Sequence, residues 1–146
     1  MKKTVLAMCI VMSLVGCAQL EALKNRNATT SFVAELNESD SEKIGKDMTA
    51  ILAGQFPAAK TTVYVEPSNT IVRAVLVDEM TAKGFGILDV RPDRGPAVVL
   101  KYFVTHLSNG ILVRMRYDDV VVSRYYGRQA DGNLFAGKIA VREATK

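Results

Sequence analysis

The chain has 146 residues, with 19 basic and 15 acidic side chains (formal net charge +4), two cysteines and a single histidine. That length suits one domain with a short tether. One histidine excludes a bis-imidazole metal site, and so modest a charge is no argument for nucleic acid.

Lys2 and Lys3 open the chain with positive charge, and an uncharged apolar run continues from Thr4 to Val15. This is the layout of a secretory signal peptide. The run is too short for a comfortable membrane span, which needs about 20 residues to cross roughly 30 Å of hydrocarbon. It ends in Leu14-Val15-Gly16-Cys17, which resembles the bacterial lipobox. The resemblance implies cleavage between Gly16 and Cys17, a diacylglycerol on the Cys17 sulfur, and acylation (palmitate, for example) of the freed amino group. Ala18 stands where an aspartate would mark retention at the inner membrane, so by analogy the outer membrane is favoured. Each buried methylene contributes about 0.8 kcal/mol and one chain binds only marginally; two or three chains on one cysteine would anchor the protein permanently. The bland alternative is an ordinary signal peptide, or an anchor helix, in which Cys17 is incidental.

Cleavage would leave 130 of the 146 residues and remove Lys2 and Lys3 from the 19 basic side chains, lowering the net charge to +2. Cys9 would go with the signal and Cys17 would be lipidated, so no disulfide is available and stability must come from packing. No second apolar stretch is long enough to span a bilayer. The expected organisation is therefore a signal at 1–16, a lipidated tether at 17–38 and a periplasmic domain at 39–146. Within the tether, Leu20, Leu23 and the Phe32-Val33 pair are the groups able to dock on something.

Ser39-Asp40-Ser41-Glu42 reads as a capping box. Ile44, Met48, Ile51, Leu52 and Phe56 follow at helical spacing until Pro57. Thr61 to Glu66 alternates as a strand, with Val63 and Val65 on one side and Thr62 and Tyr64 on the other. Thr70 to Lys83 has strand-like β-branched pairs, but its length and its Gly84-Phe85 ending favour a helix with Ile71, Val72, Val75, Leu76 and Met80 on one face. Gly86 to Val90 returns as a strand, completing a β-α-β unit with parallel strands. Strands are expected at Ala97–Leu107, Ile111–Tyr117, Val120–Tyr126 and Leu134–Arg142. An Asn109-Gly110 hairpin signal lies after the first and Asp118-Asp119 breaks the second from the third. In Ile111–Tyr117, Leu112, Arg114 and Arg116 should face outward. The fold class is α+β: two helices on one face of a mixed, mostly antiparallel sheet containing one β-α-β unit.

Chemistry is sparse. His106 shares a strand face with Val98, Leu100, Tyr102 and Val104, which suits a core or sheet-end histidine better than a catalytic one. Asp118 and Asp119 would point to opposite faces of a strand, so they read as a turn and not as a paired acid and base. The glycines flanking Phe85 end a helix and so make no phosphate cradle. Arg114, Arg116, Arg124 and Arg128, interleaved with Tyr125 and Tyr126, are the most tempting cluster. Such a mixture can bind single strands, but Asp118, Asp119 and Asp131 sit among them, and a solvated or protein-contact face is the better reading. No catalytic residue, metal or cofactor is expected, nor direct nucleic-acid binding.

The lipobox, the β-α-β unit ending in Gly84-Phe85 and the tail together resemble the TrbH-type conjugal transfer lipoproteins. The tail carries Val122-Ser123-Arg124-Tyr125-Tyr126, Asp131-Gly132-Asn133-Leu134-Phe135-Ala136-Gly137 and Ala140-Val141-Arg142-Glu143-Ala144. The resemblance implies a structural subunit of a type IV secretion system, anchored in the outer membrane by acyl chains on Cys17 and contacting other conjugation-channel proteins from the periplasm. Arg114, Arg116 and Arg124 form the candidate contact face by pattern alone. The alternatives are a free-standing envelope lipoprotein that binds or regulates a periplasmic or cell-wall partner and, further off, a hydrolase dependent on His106.

Overall fold

The computed structural model describes residues 32–143, so the expected signal, the Gly16–Cys17 cleavage point and Cys17 itself lie outside the described residues. In chain order the elements are β1 (Phe32–Val33), α1 (Glu38–Ala53), a 3-10 turn (Ala58–Lys60), β2 (Thr62–Val65), α2 (Ile71–Lys83), β3 (Gly86–Leu88), β4 (Val98–Leu107), β5 (Gly110–Tyr117), β6 (Val120–Arg128) and β7 (Leu134–Glu143). The sheet runs β3-β2-β4-β5-β6-β7, with β1 also on β4. β2 is parallel to β3 and to β4, and β1 is parallel to β4. The longer ladders among β4, β5, β6 and β7 are antiparallel. This is the expected α+β class, and β2-α2-β3 is the expected β-α-β unit.

Helix α1 starts one residue before the expected cap. Asn37 is the N-cap and its Oδ1 accepts from the Asp40 amide at 2.8 Å. Ser39 lies inside the helix and Glu42 instead pairs with Lys46 one turn on, so the Ser39–Glu42 capping box does not form. An Asn satisfies an orphan amide as well as a Ser does, and two extra residues of helix follow from using it. The buried stripe is Ile44, Met48 and Leu52. The helix ends at Ala53, and Phe56 beyond it turns its ring edge onto Tyr117, centroids 5.4 Å apart.

Helix α2 ends as its sequence implies. Gly84 is left-handed (φ 93°), its amide bonds to Thr81 and the Phe85 amide bonds to Met80, the arrangement a Cβ would strain. Val72, Leu76 and Met80 are buried, whereas Ile71, expected on the same face, is 48% exposed. Both helices lay their stripes against Val63, Val65, Val98, Leu100, Tyr102, Val104, Ile111, Val113 and Met115 in one core. These strand residues recur at every second position, so one face of the sheet is the core and the other is not. Truncating a fully buried core side chain such as Leu76 or Leu100 should cost about 2–5 kcal/mol.

Three local differences have plain causes. Residues 32–34, expected within the tether, belong to the fold: Phe32 and Val33 pair with Phe103 and Val104 of β4, and the Ala34 amide bonds to the Val104 carbonyl at 2.9 Å. Two residues carry no periodicity, so such a strand is specified by its partner. The β4–β5 loop is Ser108-Asn109, with Gly110 already paired to Leu107, and not an Asn-Gly turn. Gly110 is required for another reason: a Cβ there would lie 2.1 Å from the Tyr126 carbonyl oxygen and 2.6 Å from the Tyr125 hydroxyl. Finally, β3 stops at Leu88, leaving Val90 78% exposed.

Candidate interaction surface

The strand pleat decides which basic residues share a face. Leu112, Arg114 and Arg116 alternate with the buried Ile111, Val113 and Met115, so both arginines point away from the helices, as expected. The two-residue Asp118-Asp119 loop pairs Tyr117 with Val120, and the register then sets Arg114 opposite Ser123 and Val113 opposite Arg124. Arg124 is thus on the helix side of the sheet. The grouping of Arg114, Arg116 and Arg124 as one face is corrected: two of the three belong together and Arg124 does not.

Arg124 has a structural task instead. Its Nη1 donates to both carboxylate oxygens of Asp47 on α1, at 2.6 and 2.8 Å, and its Nε donates to the Gly137 carbonyl at 2.8 Å. The Tyr126 hydroxyl donates to the same carboxylate. Burial first, then the hydrogen bond and charge of Asp47, push the Tyr126 hydroxyl far above its ordinary value. Four residues further along β6, Arg128 Nη2 reaches Asp40 at 2.5 Å, and the hydrogen bond to Asp40 raises the arginine further. Asp40 and Asp47 are seven residues apart, about 10.5 Å along a helix. Arg124 and Arg128 are four apart, about 13 Å along a strand. The two pairs clamp α1 across β6. Beside the clamp, Lys43, Lys46, Asp47, Tyr126 and Ala136 line an open cleft of about 320 Å³, whose acid is already engaged.

The other singled-out residues are peripheral. His106 lies past the core at the exposed end of β4, its Nε2 2.8 Å from the Glu35 carbonyl, so it ties β4 to the segment after β1. Asp118, with φ 49°, and Asp119 form the exposed β5–β6 turn. Among the described residues no three His, Cys, Asp or Glu side chains are placed to hold a metal, and no helix is long and apolar enough to cross a membrane.

What the outer face does gather is positive charge that single-strand reading missed. Lys101 on β4 is the direct cross-strand partner of Arg116, and Val121 beside Arg116 pairs with Arg142 of β7. Glu66, just after β2, bonds through its amide to the Leu100 carbonyl and so flanks Lys101. Glu66 is only 8% exposed, Arg91 stands 3.7 Å from it, and its Oε2 has no hydrogen-bond partner among the described residues. Burial and then the Arg91 charge lower the Lys101 ammonium, with Arg116 adding to the effect and Glu66 opposing it. Lys101 was legible as an outward residue from its alternation with Leu100 and Tyr102, but its pairing with Arg116 needs the register.

A family model described as conjugal transfer protein TrbH matches residues 23–144. No curated protein and no solved structure matches the chain.

Proposed function

Because the chain belongs to the conjugal transfer protein TrbH family, we propose that it is an outer-membrane-anchored lipoprotein acting as a structural subunit of the conjugal transfer (type IV secretion) apparatus. The family is a conjugal transfer family and not an enzyme family, and it implies association with other transfer-system proteins. The observation that carries the reading is the extent of the match, which takes in the whole described domain and begins shortly after the lipobox-like Leu14-Val15-Gly16-Cys17. Lipid on Cys17 would hold the domain at the periplasmic side of the membrane. The sheet face that the helices leave uncovered is then the natural surface for neighbouring subunits.

The test is a donor strain deleted for the gene and complemented with the wild-type chain or with Cys17→Ala. The wild type is expected to take up labelled palmitate, to fractionate with outer membrane and to restore plasmid transfer. Cys17→Ala is expected to be unlabelled, to leave the membrane fraction and to lower transfer. An unlabelled wild-type chain would remove the anchor from the proposal, and undiminished transfer by the deletion strain would remove the role.

A further inference from the structure

The outer face of the sheet carries a charge arrangement that the fold itself has no use for. Within the strands its charged residues are Lys101, Arg114, Arg116, Lys138 and Arg142, as the pairings of β4 with β5, β5 with β6 and β6 with β7 require. Like charges directly opposite one another destabilise a sheet, yet Lys101 and Arg116 are direct partners. The acid beside them, Glu66, is buried and shared with Arg91. Asp118 and Asp119 sit at the end of the hairpin and make no ion pair among the described residues. By contrast, the helix-side arginines Arg124 and Arg128 each have a carboxylate partner. Cations are therefore neutralised where they hold the fold together and left concentrated where they do not.

We propose that this face binds an acidic, extended segment of another protein in which carboxylates alternate with apolar side chains. Arg114 and Arg116 are two residues apart on β5, about 7 Å, which is the spacing of same-side residues on any extended chain. Half-buried Phe103 and Leu112 lie beside them on the same face and supply the apolar complement. Three of the five cations are arginines, whose planar guanidinium groups pair with carboxylates in two-bond geometry and are enriched at protein interfaces. A single-stranded nucleic acid would need exposed ring faces for stacking. Here Tyr64 is 7% exposed, and the exposed ring on this face, Phe135, sits at the opposite end of β7 from Arg142 and Arg116, away from the paired cations. The inference rests on the proposed role only for where the partner comes from, since binding belongs to the isolated chain.

The experiment uses the purified mature protein and three probes: a labelled peptide alternating glutamate with valine or threonine, an oligothymidylate, and vesicles of phosphatidylglycerol in phosphatidylethanolamine. The peptide is expected to bind, to weaken at least tenfold as salt shortens the screening length from about 10 Å toward 3 Å, and to shift the amides of β4 and β5. Reversing Lys101 and Arg116 together (K101E/R116E) should weaken it at least tenfold, while K83E at the exposed end of α2 should leave it within twofold. Absence of peptide binding, equal loss in K83E, or occupation of the face by the oligonucleotide or the vesicles with no competition from the peptide would each overturn the proposal. Unimpaired plasmid transfer by the deletion strain would instead overturn the proposed role and leave the surface standing.

Discussion

Replacing Asp47 with Ala removes the carboxylate that receives two Arg124 bonds and the Tyr126 hydroxyl. Breaking a fully buried ion pair costs about 3–5 kcal/mol, mainly because one charge is left stranded. The Asp47 and Arg124 side chains retain 23% and 20% exposure, and Arg124 keeps its bond to Gly137, so water and that carbonyl recover part of the loss. The expected cost is about 2–3 kcal/mol, consistent with losing a pair of charged hydrogen bonds at about 1.5–3 kcal/mol each less that recovery. Urea unfolding followed by circular dichroism on the mature chain with Cys17→Ser would measure it. Repeating the measurement in an Arg124→Met background should show the two losses to be strongly non-additive. A cost below about 0.5 kcal/mol, or simple additivity, would refute the clamp.

Gly110→Ala should cost at least about 2 kcal/mol in the same urea assay, since its Cβ would press on the Tyr126 carbonyl at 2.1 Å and backbone cannot swing aside; a neutral result would mean the β5–β6 contact is looser. Asp118→Gly should stabilise by roughly 1 kcal/mol, because it relieves a left-handed non-glycine at φ 49°; an unchanged midpoint would count against strain there. The Tyr126 hydroxyl is raised on folding, so its neutral form is favoured in the native state. Its stabilising contribution is full below the unfolded value of about 10 and declines as pH rises above it. Tyr126→Phe should therefore lose stability at neutral pH yet show a shallower decline above pH about 10, and a parallel decline would contradict the burial of that hydroxyl.

Much of this was readable from periodicity. The period-two pattern of Ile111 to Tyr117 fixed which β5 residues face outward, and Gly84-Phe85 marked the end of α2. Arg124 could not be placed that way, because Val120-Val121-Val122 hides the alternation by making both faces apolar. The information was present in a different form: a two-residue Asp118-Asp119 loop forces Arg124 opposite Val113, and acids seven apart on a helix can meet bases four apart on a strand. β1 was beyond reach, since a two-residue strand has no pattern of its own and exists only because β4 offers a free edge. Lys101 alternates with Leu100 and Tyr102, but only the register brings Arg116 against it.

The most direct measurement is photo-crosslinking in mating donor cells, with a photoreactive residue placed either at Arg114 on the outer sheet face or at Lys83 on the helix side. A subunit that meets its neighbours through the uncovered face should crosslink to other transfer-system proteins from Arg114 and not from Lys83. Crosslinks from Lys83 alone, or none from Arg114 in cells that transfer plasmid normally, would contradict it.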